Sequence, residues 1–439
     1  SFSGMNKQHD LITPAQRGEL PRPTPAQAAW QDLELGAFYH FDLPIVGTVI
    51  PNAGPDDYPE TFDADQWMEA AKAMGAKYAI FTSKHGSGLL QWQSDAYPFS
   101  LKQSKWRGGK GDAVREFAEA CRRAGILPGI YHHVSWTPQF EVAGTGKVNW
   151  GKGGDPEKQK RYAEVCGKLL TELWSNYGMW AECWFDSGVL PVAEGGPDVL
   201  PLATRLQPQA MSFQGPASTI RWIGNEDGVA GYPCWATVPG REVELQDGRD
   251  QHGKALLHGD PAGRLWLPGE CDAPLPGHWW DWNPTQPDIE PLPKLMDIYL
   301  RSVGRNANLL LNVTPNAKGL VPEKNIRYYS DFGREIRRRF GAPFAETSGE
   351  GETVVLDLPR PARIGSVIIM EDIACGERVR EYVVEGLVGA DRWQKLCDGT
   401  SIGHKRIQEF PPVEVGAVRF RAVRNAALPR VRRLAAFGS

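Results

Sequence analysis

The sequence predicts a (β/α)8 barrel over residues 1–341, followed by an antiparallel β-sandwich over residues 342–439. Three observations lead there. Helix-period stripes alternate with short buried-strand runs through the first three quarters of the chain. Several of those runs end in polar, reactive side chains. Near residue 342 the helical period gives way to strand-like segments. Strands alternating with helices imply a parallel sheet with right-handed crossovers, and this many repeats favour a closed barrel. A doubly wound open sheet is the alternative, and no glycine-rich nucleotide fingerprint supports it.

The elements follow in order. Leu35–Phe41 is the first apolar run and contains His40 near its end. Trp67, Ala70, Ala71 and Met74 then fall at i, i+3, i+4 and i+7, one face of a helix. The second run, Tyr78–Thr82, leads into Lys84 and His85. Val114, Phe117, Ala118 and Cys121 make the next stripe, and Gly129–Tyr131 the next run, leading into His132 and His133. Val165, Cys166, Leu169, Leu170 and Leu173 precede Cys183–Phe185, which leads into Asp186. Ala210–Phe213 is a further run. Leu292, Leu295, Met296, Tyr299, Leu300 and Val303 form the last of these stripes before the closing run Leu309–Asn312. Gly75, Gly125, Gly178 and Gly304 stand where C-terminal helix caps belong. Asn325–Phe340 reads as the final barrel helix, with Arg337–Arg339 suiting the macrodipole of its last turn. Beyond it, Thr353–Leu356, Ser366–Ile369, Tyr382–Glu385 and Ala417–Arg421 are β-rich. Val418 and Phe420 alternate there with Arg419 and Arg421, as on a half-buried strand.

Composition narrows the function. The 439 residues are 41% hydrophobic and 23% charged, the balance of a soluble globular protein long enough for two domains. A net charge of −4 argues against a broad nucleic-acid surface. No apolar run approaches the roughly 20 residues of a membrane span. The opening Ser1–Asp10 is not a secretory signal, a feature shared by cytoplasmic chains and by exported ones after cleavage; export is slightly favoured. Seven cysteines without a Cys-x-x-Cys do not form a disulfide framework. The 16 tryptophans suit either thick cores or platforms for sugar rings.

Barrel enzymes carry their chemistry at the C-terminal ends of the strands. Asp186 occupies such an end, and glycoside cleavage needs a second carboxylate. Glu226, in Arg221–Gly228, and Glu270, in Leu267–Asp272, compete for that role. His40, His85, His132 and His133 invite a metal reading, but there is no His-x-His or His-Glu-x-x-His. No metal or cofactor is therefore expected, and hydrogen bonding to substrate hydroxyls is the better functional reading of these histidines. His278–Trp282 packs three indoles into five positions, enough to close over a sugar or to pack on the barrel. No P-loop occurs, and the Gly-x-Ser-x-Gly match at Gly399–Gly403 lies among the β-rich segments rather than at a barrel strand-to-helix turn, so a serine nucleophile has little support.

The motifs together resemble glycoside hydrolase family 29, the α-L-fucosidases, in particular the branch acting on α-1,3/1,4-linked fucose. Phe62–Trp67 through Thr82–His85 look like the second barrel unit, and Gly109–Asp112 with Gly129–Tyr131 like the third. Trp184-Phe185-Asp186 resembles the nucleophile motif, Arg221–Glu226 the branch's acid/base loop, and Val303–Asn312 the closing strand. Met370–Val379 and Ser401–Arg406 are similar to the branch's β-sandwich.

The resemblance implies a retaining exo-fucosidase acting on fucosylated oligosaccharides or glycoconjugates. Asp186 is implied as nucleophile and Glu226 as acid/base. His40, His85, Tyr131 or His132, and Trp184 match positions lining the sugar pocket. Trp280 is a candidate sugar contact, and Arg221 is expected to add charge near the two carboxylates. Three departures stand out. Gly86 and Ser87 replace the second His and the Asp of the usual Lys-His-His-Asp-Gly-Phe; Ser187 replaces a glycine; Asp42-Leu43-Pro44 follows Phe41 where glycine is common. They leave room for a related α-L-glycosidase, such as an α-L-galactosidase, or for a non-catalytic glycan-binding protein.

Overall fold

In the computed structural model the described residues are 19–43, 53–149, 152–241, 250–274, 279–280 and 291–439. Ser1–Asp10, Pro44, His278, Asp281 and Trp282 lie outside them. Eight parallel strands make the first sheet: β1 Leu35–Tyr39, β2 Tyr78–Thr82, β3 Leu127–His132, β4 Glu182–Phe185, β5 Met211–Phe213, β6 Arg221–Trp222, β7 Gly269–Ala273 and β8 Ala307–Asn312. Their order, β5-β4-β3-β2-β1-β8-β7-β6, is that of a barrel opened between β5 and β6. A single parallel bridge from Phe213 to Ile220 spans the opening.

Helices of seven or more residues are α1 Pro25–Gln31, α2 Ala64–Met74, α3 Ala113–Arg123, α4 Pro156–Ser175, α5 Val199–Leu206, α6 Asp250–His258, α7 Leu292–Ser302 and α8 Glu323–Phe340. Asp63, Asp112 and Asp155 cap α2, α3 and α4, each accepting a backbone N–H three residues on. The left-handed Gly75, with φ of 85°, ends α2 as its position predicts. Gly304 differs. α7 ends in a right-handed Val303, and a Cβ on Gly304 would stand 2.3 Å from the Leu300 carbonyl and 3.1 Å from Ile407 Cβ. The carbonyl of its own helix at Leu300 leaves no room for a side chain there, and Ile407 of the second sheet crowds the same position.

Strand alternation sorts the barrel into two packed zones. Phe38, Ile80, Tyr131, Trp184, Phe213 and Leu310 point inward and share one buried cluster. Their odd-even neighbours Tyr39, Phe81, Ile130, Cys183, Phe185 and Leu311 point outward against the helices. α1 closes the bottom: Trp30 joins the inner cluster, and its indole N–H donates to Glu182 Oε2 at 2.9 Å.

The strands β6 and β7 are the ones the apolar pattern misses. β7 reads Gly-Glu-Cys-Asp-Ala, with the carboxyls of Glu270 and Asp272 at inward positions, and β6 is two residues long.

After α8 the chain enters an antiparallel sheet of six strands: β9 Ala345–Glu350, β10 Thr353–Glu371, β11 Val379–Val388, β12 Arg392–Gly399, β13 Arg406–Asn425 and β14 Arg430–Phe437. Their order is β9-β14-β10-β13-β11-β12. β10 and β13 are long and break register between Asp357 and Ala362. Val354 and Leu356 before the break share a core with Val367 and Ile369 beyond it, so one strand serves both layers of the sandwich. Ile368, Met370, Ile407 and Phe437, on the other face, join the barrel's outer core. Glu34 ties the domains electrostatically, accepting from Lys405 Nζ at 2.7 Å and pairing with His404 Nε2 at 2.8 Å. All seven cysteines are free. Among the described residues no helix is long and apolar enough to cross a membrane.

Candidate active site

The barrel mouth gathers side chains from β1, β2, β3, β4 and β8. Asp186 follows β4 directly, and its side chain is 37% exposed while the groups behind it are buried. Tyr131 donates its hydroxyl to Asp186 Oδ2 at 2.6 Å. Burial, reinforced by the Asp186 charge, pushes the Tyr131 hydroxyl well above its ordinary range, so it keeps that proton. His133 Nε2 lies 3.7 Å from the same oxygen. The next residue, Ser187, adopts a left-handed φ of 59°, a conformation suited to the glycine it replaces.

The histidines are held neutral. Burial pushes His40 down to about 4, against the opposing hydrogen bond to the Asn312 amide oxygen and the Asp186 charge. Its Nδ1 is 2.9 Å from Asn312 Oδ1. Burial and then Lys84 lower His133 to about 3. Burial, followed by His133 and His40, lowers His85 well below its usual value. A neutral imidazole both donates and accepts, as recognition of a hydroxyl requires.

Aromatic rings frame this centre. His85 stacks on Tyr131 with centroids 5.6 Å apart, and Tyr131 stacks on Trp184 at 5.6 Å. Trp280 meets His85 edge-on at 4.6 Å and His40 at 5.2 Å. Trp279 lies 4.7 Å from His40 and donates its indole N–H to Glu226 Oε2 at 3.1 Å. Glu226 is exposed on the loop after β6. Beside it is a group the sequence reading did not single out. Asp272, inward on β7, is buried and accepts from Trp222 Nε1 at 2.9 Å. Burial raises its carboxyl well above the ordinary range, with the Glu226 and Glu270 charges adding to the shift.

Three expectations are corrected. His132, the alternative to Tyr131, faces outward: it accepts from the Trp174 indole at 3.2 Å and packs on Phe185. Strand alternation is the reason, and it brings Tyr131 and His133 to the mouth instead. Arg221 adds no direct contact to Asp186 or Glu226. Its fully buried guanidinium donates to the carbonyls of Leu256 and Leu267 at 2.8 and 2.5 Å. Glu270, the rival second carboxylate, is fully buried and accepts from Tyr78 at 2.7 Å and Trp184 at 2.9 Å. Glu182 lies against it, and burial, followed by the Glu270 charge, pushes the Glu182 carboxyl well above its ordinary range. Gly36 makes room for this arrangement, since a Cβ there would stand 2.6 Å from the Tyr78 ring.

The departures at Asp42 and Ser87 form a contact of their own. Asp42 is buried; Ser87 Oγ donates to its Oδ1 at 2.6 Å and Ser87 N to its Oδ2 at 3.2 Å. The loops after β1 and β2, which carry His40 and His85, are thereby joined.

A barrel mouth that sets a half-exposed carboxylate among neutral imidazoles and indoles offers the side chains that glycoside hydrolysis uses. The α-L-fucosidase family model matches residues 51–195. The chain is 32% identical to a protein of Oryza sativa subsp. japonica provisionally named α-L-fucosidase 1, over 92% of this chain and 82% of that one. It is 30% identical to α-L-fucosidase 1 of Arabidopsis thaliana, over 93% and 86% of the two chains. A solved Bacteroides thetaiotaomicron structure, provisionally described as an α-L-fucosidase, superposes with a TM-score of 0.88 at 37% identity, covering 96% of this chain and all of that one. The chain belongs to glycoside hydrolase family 29, the α-L-fucosidases, and its substrate is a fucosylated glycan.

Proposed function

We propose that the protein is a retaining exo-α-L-fucosidase of the α-1,3/1,4 branch, with Asp186 as nucleophile and Glu226 as general acid and base. The observation that carries this reading is the placement of Asp186. It is half exposed beside His85, Tyr131 and His133, with its Oδ2 bound by Tyr131.

Asp186 Oδ1 attacks the anomeric carbon while the bond to the leaving oxygen breaks, and Glu226 gives that oxygen its proton. Glu226 then takes a proton from water, the water oxygen bonds to the anomeric carbon, and Asp186 departs. Two inversions give net retention. The Tyr131 hydrogen bond supports Asp186 in both carboxylate states, before attack and after departure. Neutral His40, His85 and His133 meet the sugar hydroxyls, and Trp280 covers the pocket. The burial of Glu270 beneath Trp184 leaves Glu226 as the better proton donor. The linkage assignment rests on the likeness of Arg221–Glu226 and of the C-terminal sheet to that branch.

Azide distinguishes the two roles. With an aryl α-L-fucoside, Asp186→Ala should lose hydrolysis and regain turnover with azide, giving the β-fucosyl azide. Glu226→Ala should regain turnover through the glycosyl-enzyme, giving the α anomer. Full hydrolysis by Asp186→Ala would overturn the assignment. A panel of α-1,2-, α-1,3-, α-1,4- and α-1,6-linked fucosides tests the linkage, and preferential cleavage of α-1,2 or α-1,6 bonds would contradict it.

A further inference from the structure

Three ligating side chains converge at the barrel mouth from the ends of three strands. One ligand atom each from His85, His133 and Asp186 can be chosen so that all lie within 4.8 Å of one another. The pair His133 Nε2 and Asp186 Oδ2 is 3.7 Å apart. Tetrahedral zinc, with bonds of about 2.0–2.1 Å, holds its ligand atoms about 3.3–3.4 Å apart. One edge of the triangle is therefore nearly at the required length, and the other two need contractions of about 1.5 Å or less.

The surroundings favour such a site in some respects and weaken it in others. Tyr131 already binds Asp186 Oδ2 and fixes the carboxylate, as an outer-shell donor does. The His85 ring is held between Tyr131 and Trp280. His133 is buried, and its Nδ1 has no hydrogen-bond partner, so packing rather than an acceptor orients that ring. Loss of such an outer-shell bond typically weakens a metal site about 10–100-fold. The Lys84 ammonium, bonded to the His133 carbonyl at 2.7 Å, adds positive charge nearby. These features point to reversible rather than permanent occupancy. Asp186 is open to solvent, which supplies an entry path and leaves a fourth position for water. Two imidazoles and a carboxylate suit zinc or copper; calcium and magnesium prefer shells of oxygen.

We propose that His85, His133 and Asp186 form an inhibitory zinc site, which Zn2+ and the sugar occupy in mutual exclusion. Bound zinc engages the Asp186 carboxylate and takes the imidazole lone pairs that would otherwise meet hydroxyls, so hydrolysis stops without any covalent change. Metal binding stands on the geometry alone; the exclusion rests on the reading of Asp186 as the residue that faces the sugar.

Equilibrium dialysis of the full chain against zinc chloride near pH 7 tests this, with the wild type, His85→Ala, His133→Ala and Asp186→Asn compared. Asp186→Asn changes size least and guards against loss of fold, and Co2+ in place of Zn2+ gives visible absorption that reports tetrahedral coordination directly. The expected result is one zinc per wild-type chain, at least tenfold weaker binding in each variant, and an apparent Kd that rises linearly with added L-fucose from its value without the sugar. Unchanged zinc affinity in His85→Ala and His133→Ala would overturn the proposal even if zinc inhibits the enzyme. Loss of zinc in all three variants without competition by L-fucose would keep the metal site and overturn the placement of the sugar against Asp186.

Discussion

Tyr131 holds a proton beside a carboxylate that has to act both as attacking group and as leaving group. A hydrogen bond to a charged acceptor contributes about 1.5–3 kcal/mol. Tyr131→Phe keeps the ring that stacks on Trp184 and His85 and removes only that bond. It is expected to lower kcat on an aryl fucoside about 10- to 100-fold, with the fold unchanged by circular dichroism. An unchanged kcat would show that the bond does not serve the reaction. The choice between Tyr131 and His132 was within reach of the sequence. Inward positions on β3 alternate, and Tyr131 shares its face with His133, whereas His132 shares the outer face with Ile130. Arg221 was not within reach. The first residue of a two-residue strand gives no periodicity from which to learn that it faces outward.

Among the elements, β7 carries the least conventional burial. Its inward carboxyl at Glu270 replaces the branched apolar side chains that usually fill a barrel. The compensation is a set of fixed donors, Tyr78 and Trp184 to Glu270 and Trp30 to Glu182. Glu270→Ala strands two buried donors and is expected to cost about 3 kcal/mol, whereas Glu270→Gln, which keeps the shape and one acceptor, should cost about half as much. Urea unfolding measures both, and equal stability of Glu270→Ala and wild type would contradict this account of the barrel floor. The same polarity hid β7 from the apolar pattern, while β1 to β5 and β8 were marked by continuous hydrophobic runs. The helices α2, α3, α4 and α7 were legible because each presents one apolar stripe, and α8 from its place before the second sheet, with a basic run in its last turn. α1, α5 and α6 are short, and too few turns were available to establish a period.

At the scale of the whole molecule, the sandwich is fastened to the barrel by Glu34, His404 and Lys405. Burial alone would raise the Glu34 carboxyl, but the hydrogen bond from His404 and the charges of Lys405 and His404 bring it down to about 2. A carboxylate with a lowered folded pKa stabilises above its unfolded value near 4.5, and that contribution is lost as pH falls towards 2. Glu34→Gln should therefore be less stable than wild type at pH 7 by up to about 3 kcal/mol, and the gap should narrow between pH 4.5 and pH 2. Urea midpoints at several pH values read this out, and a gap that widens on acidification would contradict it. The change from helical to strand period made the second domain legible. Its docking was not, because Glu34, Gly304 and His404 come together only when two domains far apart in sequence fold against each other.

The central claim is that Asp186 becomes covalently bound to the sugar. Incubation with 2-deoxy-2-fluoro-α-L-fucosyl fluoride, which slows departure of the enzyme carboxylate more than its attack, followed by peptide mass spectrometry, tests it directly. A stoichiometric 2-fluorofucosyl adduct is expected on the peptide containing Trp184-Phe185-Asp186, carried by Asp186. An adduct on Glu226, Glu270 or Asp272, with Asp186 unmodified, would contradict it.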